Sequence, residues 1–173
     1  WEAVTADRLA ALAAMTQTEF DAPSWTPVGR DETYGRFMRI RHFDCFMHEQ
    51  DIRLALGLPG RSDPDHLGSC LDEVATGLGY IVGRRAFLPD GPRAEIRLTG
   101  EPARTNRVLV DGRASVVDGF AGPATVGIEL PTATFLRLTG GRRDGPSGPV
   151  DEVGLTGDPE LGRRLVDNLA FTI

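Results

Sequence analysis

From Trp1 to Phe20 the apolar residues Val4, Leu9, Leu12, Ala13 and Met15 recur near helical spacing, and APSWTPVG, with two prolines and a glycine, ends this first helix. From Glu32 to Leu56 the run Phe37, Ile40, Phe43, Met47, Ile52, Leu56 repeats every three to five residues, and Gly57, Pro59 and Gly60 stop it. This pattern predicts a long second helix. After GLPGRSDPD, either Asp63 or Asp65 suits the N-cap of a third helix, whose apolar positions Leu67, Leu71, Val74, Leu78 and Ile81 share one face. Three helices with polar connections predict an antiparallel bundle with one side left open.

Past Arg85 the texture changes. FLPDGPR reads as a hinge, and the segments after it are short, β-branched and punctuated by glycine. AEIRLTG, RVLVDG, ASVVDG and ATVGIEL alternate over four to seven residues like half-buried strands, predicting a small antiparallel sheet. PTATFLRLTGGRR starts a helix near Pro131 and ends it with two glycines. VDEVGLTGD offers a further strand, and Asp158 with Pro159 opens a final helix over PELGRRLVDNLAF. The expected fold class is therefore α+β: residues 1–86 a partial helix bundle, residues 87–173 a small α+β domain.

Composition narrows the function classes. With 173 residues, 40% hydrophobic and 25% charged, the chain can bury a core as one moderate domain or two small ones. A net charge of -6 leaves no basic surplus to release counterions, so neither nucleic acid nor an acidic membrane is the expected partner. A small molecule or another protein is. No apolar run has the length of a bilayer span and no secretory signal opens the chain, which sets a cytoplasmic expectation. Cys45 and Cys70 are then expected as free thiols. All 19 basic residues are arginine, in keeping with GC-rich coding. The chain opens at Trp1 within a helical pattern, so further residues are expected upstream.

The densest chemistry lies in FDCFMHEQDIR, residues 43–53. Asp44 and His48 are four apart on the second helix, and Asp51 lies three further along the same stripe. A carboxylate and an imidazole at that spacing suit zinc or another borderline divalent metal, with a third ligand from a facing helix. The plainer alternative is an i, i+4 pair on a solvated face. Proximity to the arc of Phe37, Ile40, Phe43, Met47 and Ile52 favours the metal, because an uncompensated charge there is costly. Asp51 reads either as an orienter of the imidazole or as a surface residue. Cys45, His42 and His66 read as packing or boundary residues.

With RIRHFDCFMHEQDIRLALGLPG in the amino-terminal part, and TFLRLTGGRRD followed by LTGDPELGRRLVDNLAFTI at the far end, the chain resembles the mycothiol-dependent maleylpyruvate isomerase family. The likeness covers nearly the whole chain. It implies an amino-terminal DinB-like metal-binding helix bundle and a carboxy-terminal domain similar to sterol carrier proteins. In that family a divalent metal, usually zinc, is held by an upstream His and by a Glu and His spaced E-x-x-x-H. The resemblance carries the last pair onto Asp44 and His48, with Asp in place of Glu, while the first His falls before Trp1. The family's arginine facing the metal falls on Arg142, with Arg143 as the alternative and as the residue expected toward the cofactor.

What the resemblance implies is a metal-activated mycothiol thiolate adding to a small cis-enoyl electrophile, permitting rotation and leaving as the trans isomer forms. Arg142 would grip a substrate carboxylate through two parallel donors. An S-transferase is the first alternative, since the same thiolate could keep its electrophile. A non-catalytic small-ligand-binding module with a degraded metal site is the second.

Overall fold

A computed structural model describes residues 1–143 and 153–171. Its contacts divide the chain into two compact units, residues 1–44 and 45–173. The first holds α1 (Glu2–Ala14), the single turn α2 (Gln17–Phe20), a hairpin of β1 (Pro23–Thr26) and β2 (Gly29–Thr33), and the start of α3 (Tyr34–Ala55). No residue of α1 is buried. At α2 Thr16 and Glu19 form a capping box, the Thr16 hydroxyl accepting from the Glu19 amide while the Glu19 carboxylate accepts from the Thr16 amide.

The hairpin was not expected. APSWTPVG reads as a helix breaker, yet Pro23 opens an edge strand and Pro27 sits inside the turn between Thr26 and Gly29, two places where a missing amide donor costs nothing in the ladder. The Thr26 hydroxyl accepts from Val28 and donates to the Gly29 carbonyl, closing the turn. Thr33 then caps α3 by accepting from the Arg36 amide at 3.1 Å.

In the second unit α3 finishes, α4 (Pro64–Tyr80) runs into a π-helical turn at Ile81–Arg85, and the sheet begins at β3 (Arg93–Thr99). Of the two cap candidates for α4, Asp63 accepts from the His66 amide and Pro64 takes the first helical position. The strands β4 (Arg104–Asp111), β5 (Arg113–Val117), β6 (Val126–Pro131) and β7 (Gly154–Gly157) complete a five-stranded sheet of order β5-β4-β3-β6-β7. The expectation of an all-antiparallel sheet is corrected here: β3 and β6 pair in parallel, from Ala94 opposite Val126 to Thr99 opposite Pro131. Pattern alone cannot supply this, because alternation marks a half-buried strand whichever way its neighbour runs.

Register explains the layer. Ala94, Ile96 and Leu98 stand opposite Val126, Ile128 and Leu130, and Val108 pairs with Ala94, so one face is a continuous buried apolar surface. Glu95, Arg97, Arg107 and Glu129 occupy the other face as a ladder of ion pairs. The buried face is covered by α4, by α5 (Thr132–Thr139) and by α6 (Pro159–Asp167). Gly162 of α6 lies on Leu155, and Gly83 lies on Ala114, both strand residues of that face. Asp158 accepts from Glu160 and Leu161 at the start of α6, with Pro159 first in the helix, as the sequence predicts. Helix α4 thus packs on β4, β5 and α5, forming part of the layer that covers the sheet. The structure is mixed α+β, as expected.

Candidate functional site

Two helix ends build the site. Helix α5 stops because Gly140 and Gly141 follow Thr139: Gly141 takes φ +79°, and Gly141 and Arg142 donate their amides to Leu138 and Arg137, the paired bonds of a Schellman ending. Gly140 has a second reason to lack a side chain, since a Cβ there would lie 2.9 Å from the terminal methyl of Met47 on α3. Met47 is buried, and Asp51 lies one turn beyond it on the same helix. The residue just past the two glycines, Arg142, therefore arrives at Asp51.

The geometry is a fork. Arg142 donates from Nη2 to Asp51 Oδ2 at 2.7 Å and from Nε to the two carboxylate oxygens at 3.2 and 3.3 Å. Its Nη1 donates to the Gly140 carbonyl, tying the guanidinium back to its own turn. His48 Nδ1 lies 3.8 Å from Asp51 Oδ2, close enough for charge attraction when the ring is protonated but too long for a hydrogen bond. The Arg142 hydrogen bond is the main cause holding the Asp51 carboxyl below its ordinary pKa, against a smaller burial effect, and His48 and Arg137 add attraction. A lowered folded-state pKa means the pair stabilises the fold above the unfolded carboxyl range, and that contribution disappears as pH falls through the lowered value.

His48 points outward, its side chain 64% exposed, and Asp44 is exposed too. The expectation that both sit in a buried stripe is corrected. The apolar arc of α3 is Phe43, Phe46 and Met47, whereas Ile52 and Leu56, counted with it by spacing, are themselves exposed. Arg143 turns away from this cluster: it donates to the Asp167 carboxylate at 2.8 Å and to the Asp167 carbonyl at 2.7 Å, at the end of α6. Among the described residues no group of three or more His, Cys, Asp or Glu converges as a metal-binding set. Asp44 and His48, the two ligand candidates on α3, are both exposed.

Sequence reasoning left Asp51 between two roles and passed over Glu49. Glu49 holds the turn after α3, accepting from Arg53 at 2.8 Å and Arg61 at 3.0 Å, while Gln50 and the Arg61 backbone exchange hydrogen bonds. Arg142, the partner of Asp51, carries a signal in the sequence: a glycine pair followed by arginine places a cation at a fixed point past a helix end. Cys70 lies on the buried face of α4, where burial first and the Glu73 charge second push its thiol up to about 12; Cys45 is exposed. Elsewhere, an open groove of about 500 Å³ at the β3–β4 hairpin includes Arg97 and Arg104 in its lining. Both already hold carboxylates, Arg97 those of Glu95 and Glu129 and Arg104 that of Asp72.

No family model matches the chain, and no curated protein matches it. Among solved structures it is similar to a UbiJ-SCP2 ubiquinone synthesis protein, at 12% identity and TM-score 0.39 over 57% of this chain and 95% of that one. It is also similar to the MycE methyltransferase of a mycinamycin pathway, in complex with Mg, SAH and mycinamycin VI. There the identity is 17% and the TM-score 0.42, over 74% of this chain and 36% of the other. Neither likeness bears on function. No helix among the described residues is long and apolar enough to cross a membrane.

Proposed function

We propose that this chain belongs to a mycothiol-dependent metalloenzyme of the maleylpyruvate isomerase type, with a DinB-like amino-terminal part and a sterol-carrier-like carboxy-terminal part. The observation that supports the reading is Arg142. The resemblance places an arginine facing the metal at this position, and Arg142 is bonded to Asp51 on α3, the helix that also carries His48. In this reading Asp44 and His48 would contribute two ligands to zinc. A bound zinc would supply Lewis acidity that keeps the mycothiol sulfur as thiolate at neutral pH.

The chain's own residues do the rest. Arg142 binds a substrate carboxylate with two parallel donors and sets its double bond at a fixed distance from α3. Its tie to the Gly140 carbonyl holds the guanidinium plane, so that orientation is preformed. In the structure Asp51 accepts from those same donors and keeps an acceptor near His48 Nδ1.

The test is mycothiol-dependent conversion of maleylpyruvate by the zinc-loaded protein as encoded. Arg142→Lys keeps the charge but loses the fork, and it is expected to cut kcat/KM by about a hundredfold while zinc content is unchanged. Formation of a stable mycothiol adduct instead of the trans isomer would mark an S-transferase. Equal rates with and without mycothiol would overturn both. The competing reading is a small-ligand-binding module with a degraded site, favoured by Asp44 standing where the family has Glu. It predicts ligand binding with no turnover.

A further inference from the structure

We propose that Asp51 is an internal carboxylate latch on Arg142, occupying the donor edge that a small carboxylate ligand must take and being displaced when that ligand binds. The proposal rests on the reading of Arg142 as a carboxylate anchor. It adds what that reading lacks, a group that competes for the anchor.

The atoms assign the edge. A guanidinium offers paired parallel donors along its sides, and here Nη1 is committed to the Gly140 carbonyl of its own chain. The Nε and Nη2 side offers a parallel pair, and Asp51 fills it, at 3.2 and 3.3 Å from Nε and 2.7 Å from Nη2. Asp51 therefore stands where a ligand carboxylate would stand, with the same charge and shape. A ligand meeting this site pays for displacement before it gains the fork, so its apparent affinity falls by the fraction of time that the fork is open.

Release of Asp51 is physically accessible. Its side chain is 37% exposed and that of Arg142 27%, so water reaches both as they part and no charge is stranded in a dry interior. His48 Nδ1 lies 3.8 Å from Asp51 Oδ2, beside the freed carboxylate on the same helix. Nor is Asp51 needed to bring the arginine to α3. The glycine-built ending of α5 and its contact with Met47 fix the Arg142 backbone by themselves.

The experiment is calorimetric titration of the metal-free protein with maleate, comparing wild type with Asp51→Asn, Arg142→Met and Glu49→Gln. Glu49 carries the same charge on the same helix but bonds Arg53 and Arg61, so its variant isolates general electrostatics. The latch predicts that Asp51→Asn binds maleate about fivefold or more tighter, that Arg142→Met loses binding, and that Glu49→Gln stays near wild type. Unchanged or weaker binding in a folded Asp51→Asn protein overturns the latch, and so does equal tightening in Asp51→Asn and Glu49→Gln. Should Asp51→Asn not fold, the Arg142 Nε–H resonance of wild type decides. It must shift as maleate saturates, and a resonance that stays fixed overturns the proposal. None of these readouts involves zinc or mycothiol, so loss of the latch leaves the enzyme reading standing, and failed turnover leaves the latch standing.

Discussion

Asp51 and Cys70 show how differently two polar groups on neighbouring helices are handled. Asp51, half exposed, is kept ionised by a fork of donors, whereas Cys70, with none of its surface exposed, has its thiol pushed up to about 12 by burial and the Glu73 charge. Cys45 is exposed, so the two thiols should separate cleanly in reactivity. At pH 8 the native protein is expected to give one fast-reacting equivalent with a chromogenic disulfide reagent, absent in Cys45→Ser, and a second only on unfolding. Two fast equivalents would contradict the placement of Cys70. Residue chemistry was partly legible in the sequence: the density of FDCFMHEQDIR marked the stretch of α3 that holds Asp51, the residue Arg142 reaches. Burial was not, because Ile52 and Leu56 fit the apolar spacing yet face solvent, and spacing records which side a residue is on without recording what covers that side.

At the scale of elements, starts and stops were the clearest signals. Asp158 with Pro159 opens α6 and the two glycines close α5 as read, because each is local chemistry that a single turn decides. Helix α3 ends by the same paired bonds as α5, with Gly57 at φ +64° and Leu58 donating to Arg53. The hairpin at Pro23–Thr33 stayed hidden because proline argues against strands everywhere except at edges and turns, where both of these prolines lie. The ending of α5 also makes a prediction. Gly141→Ala forces a side chain into the left-handed region and should destabilise the fold by about 1 kcal/mol, lowering Tm by roughly 2–4 °C. Because Arg142 hangs from that turn, maleate affinity should fall with it. A variant with unchanged Tm and affinity would show that the turn does not set the arginine.

Across the whole chain, the second unit is a sheet with one apolar face under three helices and one face of paired charges. The α+β class and most strand positions were legible, since short β-branched runs bounded by glycine mark them, and burial alternates clearly in β3. The parallel pairing of β3 with β6 was not, because it is decided by the contacts of residues more than thirty apart in the sequence. The same holds for the meeting of Arg142 with Asp51, separated by 91 positions. That meeting gives the functional proposal its footing, and the metal is the part of it that measurement must decide, since no group of three or more His, Cys, Asp or Glu converges among the described residues. The most direct measurement is zinc per chain, by inductively coupled plasma mass spectrometry, on the protein as encoded and purified without chelators. The account predicts near-stoichiometric zinc that is lost in His48→Ala while the helical circular dichroism is kept. Folded protein without zinc, or zinc unchanged in His48→Ala, would contradict it.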